Sequence, residues 1–166
     1  RGEGLGTIPV TWTSWGLAKA RYPDALVLSE ETGFLRNYGS DPYGSYTEDD
    51  LYYRAGDPFF PVMNKDDRLP SKEVVVAIKA GGTQLAVTKS SVADKGVVNL
   101  ELGGTPLVAI YDESLDVVRV YLSQVSGETL EFTLQGGAIL DGSGSTWNVE
   151  GQAVEGAMDD ESLARI

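Results

Sequence analysis

The sequence predicts a mostly β protein: an antiparallel meander or barrel-like sheet, with a short N-terminal helix and a long aromatic-rich wrapping loop. Three observations carry this expectation. From residue 73 onward the chain breaks into short apolar runs rich in Val, Ile, Leu and aromatic residues. GG, SG or DG pairs separate many of these runs, as tight hairpin turns require. No alternation of strands with longer helical patterns is present, so a parallel βαβ sheet is not expected.

The elements follow in order. Residues 1–9 are Gly-rich and read as extended. Thr11 is placed to cap a helix over about 12–22. On that helix Trp12, Trp15, Lys19 and Tyr22 share one face, and Lys19 can lay its stem along the rings. Pro23 stops the helix, and ALVL (25–28) reads as a short buried strand. Residues 29–72 show little periodicity. Turn formers there stand beside Tyr38, Tyr43, Tyr46, Tyr52, Tyr53, Phe59 and Phe60, which predicts a loop pinned over the sheet by its rings. Strands are then expected at 73–80, 84–89, 97–102, 106–112, 116–122, 129–134, 138–140 and 145–150. The tail, 151–166, reads either as a helix at DESLARI capped by Asp159 or Asp160, or as a connection to further chain. The expected organisation is one domain or domain fragment over 1–166: helix and wrap to residue 72, meander over 73–150, tail over 151–166.

Composition narrows the function. A chain of 166 residues suits one domain with a real core. With 25 acidic against 13 basic residues the net charge is −12, which repels phosphate backbones and makes nucleic acid and anionic membranes poor partners. There is no Cys and no His, so thiol nucleophiles, disulfides, imidazole bases and the usual zinc and haem ligands are excluded within this chain. No apolar run is long enough for a transmembrane helix. P-loop, dinucleotide and nucleophile-elbow motifs are absent.

The candidate site residues fall in three places. Trp12 and Trp15, with Tyr22, are expected to pack a helix on a sheet, with a stacking platform for a sugar or other ring as the alternative. In GSDPYGSYTEDD (39–50), Asp41–Pro42 is expected to set a turn burying Tyr43 and Tyr46. The alternative there is calcium on Asp41, Asp49 and Asp50, with Glu48 nearby, although the spacing is not that of a standard calcium loop. In NKDDRLPSKE (64–73), Asp66, Asp67, Arg68, Lys72 and Glu73 are expected to form an ion-pair lock between the wrap and the first strand. The alternative is an acid–base pair of Asp67 and Glu73, which needs carboxylates roughly 5–9 Å apart across a cleft. Apart from possible calcium, no cofactor is expected. DGSGSTW (141–147) reads as a tight turn and a strand-borne Trp147.

The segments TWTSWGLAKARYPDALVLSEETG (11–33), YGSDPYGSY (38–46), FPVMNKDDRLPSKEVVVAI (60–78) and GSTWNVEGQAVEG (144–156) together resemble the DUF3179 family, a domain of unknown function in bacterial and archaeal proteins. The resemblance implies an exported, periplasmic or extracellular protein, with the signal or anchor outside this chain. It also implies a Cys-containing stretch upstream, C-P-x-C-G, which this chain lacks. In the family a G-S-x-W segment precedes the W-x-x-W helix, whereas here it follows the strands. SLARI (162–166) moreover echoes GLGTI (4–8), which implies an internal repeat and a partner in the remainder of a longer protein. The expected function is a noncatalytic scaffold or recognition module of an exported or surface-associated protein. A carboxylate-dependent enzyme acting on a sugar-like substrate and a calcium-stabilised extracellular domain are the alternatives.

Overall fold

Hairpins stand where the glycine pairs stand. Gly103 and Gly104 have φ of 59° and 81°, and Gly136 and Gly137 have φ of 58° and 85°, the left-handed pair that a two-residue hairpin turn demands. The computed structural model describes residues 10–39, 41–44, 51–53, 55–64, 66–80 and 82–166, with the side chain of residue 80 left out. Residues 1–9, expected to be extended, lie outside the described set, as do Tyr46, Glu48, Asp49 and Asp50.

The chain forms two compact units. One joins the N-terminal segment up to Asp24 to Val75–Ile166, and the other is Ala25–Val74. In the first, helix α1 (Trp15–Arg21) is followed by β1 (Val75–Ala80), β2 (Thr83–Thr88), helix α2 (Lys89–Lys95), β3 (Val97–Leu102), β4 (Thr105–Asp112) and β5 (Val117–Leu122). Then come β6 (Gln124–Val125), β7 (Glu128–Thr129), β8 (Phe132–Gln135), β9 (Ala138–Asp141), β10 (Thr146–Trp147) and β11 (Ala153–Glu155). The fold is mostly β. All strand pairs are antiparallel, in sheets ordered β1-β2, β3-β4-β5, β6-β7 and β11-β10-β9-β8. Of the two predicted forms the meander is the one present, and it stays open.

β4 explains the layering. Its central residues 107–110 are all buried, because alternate side chains feed two different cores. Val108 and Ile110 join Tyr121, Phe132, Ile139, Trp147 and Leu163 in one cluster, beneath the sheet of β8–β11. Leu107 and Ala109 join Ile78, Val92, Leu102 and Val120 in the other, which gathers the apolar faces of β1–β5.

Four expectations are corrected. The helix begins at Trp15 with Ser14, not Thr11, as its cap; the Ser14 hydroxyl accepts from the Leu17 N–H at 3.3 Å. The Thr13 hydroxyl, 102 residues from its partner in sequence, donates to the Leu115 carbonyl at 2.5 Å, which ties the segment before the helix to the β4–β5 turn. ALVL is not a strand: Leu26 and Leu28 are 99% and 96% exposed, and no described residue takes up this run's backbone hydrogen bonds. The expected strand at 129–134 is split, because the Leu130 N–H turns to the Ser123 carbonyl (2.7 Å) and its side chain is buried. DESLARI forms no helix. It lies along the sheet through bridges Gln152–Ser162 and Tyr121–Arg165 and buries Leu163.

α2, β6 and β11 were not expected. The sequence does mark α2: Thr88 caps it by accepting from the Ser91 N–H (3.2 Å), Gly96 ends it at φ 73°, and Val92 is its one buried residue. In the second unit no described residue belongs to a helix or strand, as the missing periodicity of 29–72 predicted.

Candidate functional site

The N-terminal aromatic residues do not pack on a sheet. Trp12 is 83% exposed, Trp15 61% and Tyr22 48%. The correction follows from the wheel itself: Leu17 and Ala18 turn half-buried toward the unit, and Leu17 lies about 200° round the helix from Trp15. Polar contacts hold the element at both ends. Thr13 is bonded to Leu115, and the Arg21 guanidinium pairs with Glu150 at 2.9 Å while lying 5.3 Å from the Tyr22 ring. The segment is therefore tethered without its rings, which leaves them available for contact.

The second unit gathers the other candidates around four rings. Asp41 opens a turn over Pro42: its carbonyl accepts from the Gly44 N–H (3.2 Å) and its Oδ1 from the Tyr43 N–H (2.8 Å). Its Oδ2 accepts from the Tyr53 hydroxyl at 2.5 Å. Tyr52 sits at the centre of the ring cluster, 5.0 Å from Tyr43, 5.7 Å from Tyr53 and 4.9 Å from Phe59. The Lys72 ammonium closes the other side. It donates to the carbonyls of Tyr52 and Ala55, the latter at 2.8 Å, and lies 4.3 Å from the Tyr52 ring centroid. The turn is as expected, but Tyr43 stays exposed rather than buried.

Asp41 and Lys72 thus tie their own turns to the Tyr52 ring cluster. Lys72→Met should remove the cation and both carbonyl contacts. The expected result is about 1–2 kcal/mol less local protection for amides near 52–55, read by hydrogen exchange, with the β4 amides unchanged.

Within the 64–73 stretch one ion pair is local. Arg68 pairs locally with Asp66, Nη2 to Oδ2 at 2.5 Å and Nε to Oδ1 at 2.9 Å, and both side chains are largely solvated. The hydrogen bonds from Arg68 push the Asp66 carboxyl down to about 2. Asp67 is exposed and Glu73 half-buried. No group of three or more acidic side chains that could hold a metal occurs among the described residues.

Sequence reasoning missed two buried carboxylates in the first unit. Asp141 Oδ1 accepts from the Ser143 N–H (2.8 Å), the Ser143 hydroxyl (2.6 Å) and the Ser145 N–H (3.1 Å), and Oδ2 accepts from the Trp147 indole (3.0 Å). Burial works to raise its pKa, but these donors outweigh burial and hold it below the usual carboxylate range. Asp112 is 1% exposed. Its Oδ1 accepts from the Ser114 N–H and hydroxyl, and its Oδ2 from Arg119 Nη2 at 2.7 Å. Burial again opposes ionisation and is again outweighed. The available signals were a lone Arg in the apolar run of β5 and a Trp whose indole N–H needed an acceptor. Both carboxylates are buried and take their donors from within the fold.

Fold and side chains together define a mostly β antiparallel meander module with an exposed aromatic helix. The family model of a protein of unknown function (DUF3179) matches residues 1–166, and the chain belongs to that family. The absence of cysteine agrees with a chain that does not contain the family's Cys-bearing stretch. Comparison with curated proteins and with solved structures finds no match. No helix among the described residues is long and apolar enough to cross a membrane.

Proposed function

We propose that this chain is a noncatalytic recognition module of an exported or surface-associated protein, and that α1 carries its contact surface. The supporting observation is the tethering of the helix: Thr13, Arg21 and the Leu17/Ala18 side hold it, while Trp12, Trp15 and Tyr22 face solvent. Large rings left in water have stacking surface to offer, and a sugar ring or another flat apolar group is the chemistry they suit.

The test is retention on insoluble cellulose, chitin and peptidoglycan. Wild type should be retained on at least one and release no soluble sugar, while Trp12→Ala/Trp15→Ala should wash through. Equal partitioning of wild type and variant on all three sinks this reading. Release of soluble sugar that Asp41→Asn or Asp67→Asn abolishes would favour the carboxylate enzyme instead. The variant should keep its stability within about 0.5 kcal/mol, because it removes solvated side chains. Of the three tryptophans only Trp147 then remains, and it is buried, so the emission maximum should move to shorter wavelength.

A further inference from the structure

The outer edge of β5 is only partly covered. The Leu122 N–H donates to the Ala164 carbonyl (2.8 Å), and the Ile166 N–H donates to the Val120 carbonyl (3.1 Å). The 164–166 segment thus lies on this edge as a short antiparallel strand, with Arg165 bridged to Tyr121. Backbone groups on a strand alternate between its two neighbours. Leu122 and Val120 therefore turn away from β4, and so does Val118. The same alternation holds across the sheet, where the Tyr111 N–H, opposite Val118, points to the Gly96 carbonyl instead. Among the described residues nothing takes the Val118 backbone groups from that outer side.

On the far side of the gap stands β1, which among the described residues pairs only with β2. Between them runs a slot of about 270 Å³, lined by residues 76–79 of β1, by Val118 and Val120, and by Arg165 and Ile166. Its walls are apolar at Val76, Ile78, Val118, Val120 and Ile166. Its two cations, Lys79 and Arg165, have no ion-pair partner among the described residues, in a chain whose net charge is −12.

We infer that this slot takes an extended acidic peptide from a partner, added as a β-strand between β1 and β5. The unpaired Val118 edge supplies main-chain hydrogen bonds, alternate apolar side chains pack on the partly buried Val76 and Val118, and carboxylates on the other side of the peptide meet Lys79 and Arg165. Two cations at one slot of an acidic protein select an acidic strand over a basic one. The site uses no residue of α1, so it stands or falls apart from glycan retention.

The probe is a labelled ten-residue peptide of alternating Glu and Val. Its controls are the Lys–Val counterpart and a Glu–Val peptide with a central Pro. Fluorescence anisotropy should show binding of the Glu–Val peptide alone, and hydrogen exchange should slow at the Val118 amide. Lys79→Glu/Arg165→Glu, with far-ultraviolet circular dichroism as the folding check, should weaken binding about tenfold. Trp12→Ala/Trp15→Ala should bind as wild type. Absence of binding, equal binding of the Lys–Val peptide, or binding without protection at Val118 overturns the inference. So does a concentration-dependent dimer in sedimentation that Lys79→Glu/Arg165→Glu abolishes, because the occupant is then a second copy.

Discussion

Asp141→Ala should cost roughly 3–5 kcal/mol and strip order first from the β8–β11 sheet. Four donors converge on this one carboxylate: two N–H groups, a hydroxyl and the Trp147 indole. Removing it leaves them without an acceptor, and Ser145 and Trp147 are buried. The surroundings leave no slack. The Ser145 hydroxyl accepts from the Met158 N–H at 3.1 Å, and Gly156, at φ 106°, presses so close that an added Cβ would stand 2.7 Å from the Ser145 Cα. Asp141→Asn should be milder, near 2 kcal/mol, since one oxygen survives while the amide N–H₂ faces another donor. Urea unfolding followed by the buried Trp147, in a Trp12→Phe/Trp15→Phe background, reads both variants. A loss under 1 kcal/mol for Asp141→Ala would show that the knot is not what holds this sheet.

Acid should act through the same group. The folded-state pKa values of Asp141 and Asp112 lie below the ordinary value, so their stabilisation is present above about pH 4. It is lost as pH falls through the folded values. At the alkaline end the hydrogen bond to Asp116, helped by burial, pushes the Tyr111 phenol up to about 12. A raised pKa stabilises below the ordinary value, about 10, and the contribution is lost as pH rises toward 12. With no histidine in the chain, stability should be level between roughly pH 5 and 9.

Much of the sheet was legible in the residues. VVNLEL became β3 at its expected bounds because its alternation leaves one assignment. The Gly pairs at 103–104 and 136–137 located turns because few other residues take two positive φ angles in succession. What was illegible depends on partners distant in sequence. Trp12 and Trp15 have the spacing of a packed face, yet the packed side is Leu17 and Ala18, and only the ties at Leu115 and Glu150 decide that orientation. SLARI carries helix formers, but an open β5 edge takes its backbone instead. Among the site candidates, Asp41, Tyr43 and Lys72 belong to one ring cluster, whereas Arg68 found its partner two residues away. Linear spacing does not separate these cases.

Arg119→Met offers the sharper test of the interior, because it should reverse a sign. Among the described residues Arg119 is the only cation hydrogen-bonded to Asp112, through Nε at 3.2 Å and Nη2 at 2.7 Å. Removing it strands a carboxylate that is 1% exposed, at a cost of roughly 3–5 kcal/mol near neutral pH. The wild-type balance, in which donors outweigh burial, then tips, since only the Ser114 N–H and hydroxyl remain as donors. Asp112 in the folded variant should titrate above its unfolded value. A raised carboxyl pKa contributes stability that is present below about pH 4 and is lost as pH rises through the folded value. Wild type should therefore gain stability between pH 3 and 5, while the variant's deficit should grow across pH 4–7. Urea midpoints at pH 4 and pH 7 measure this. A deficit of the same size at both values would mean that Arg119 contributes packing by its stem and that its charge is not what keeps Asp112 ionised.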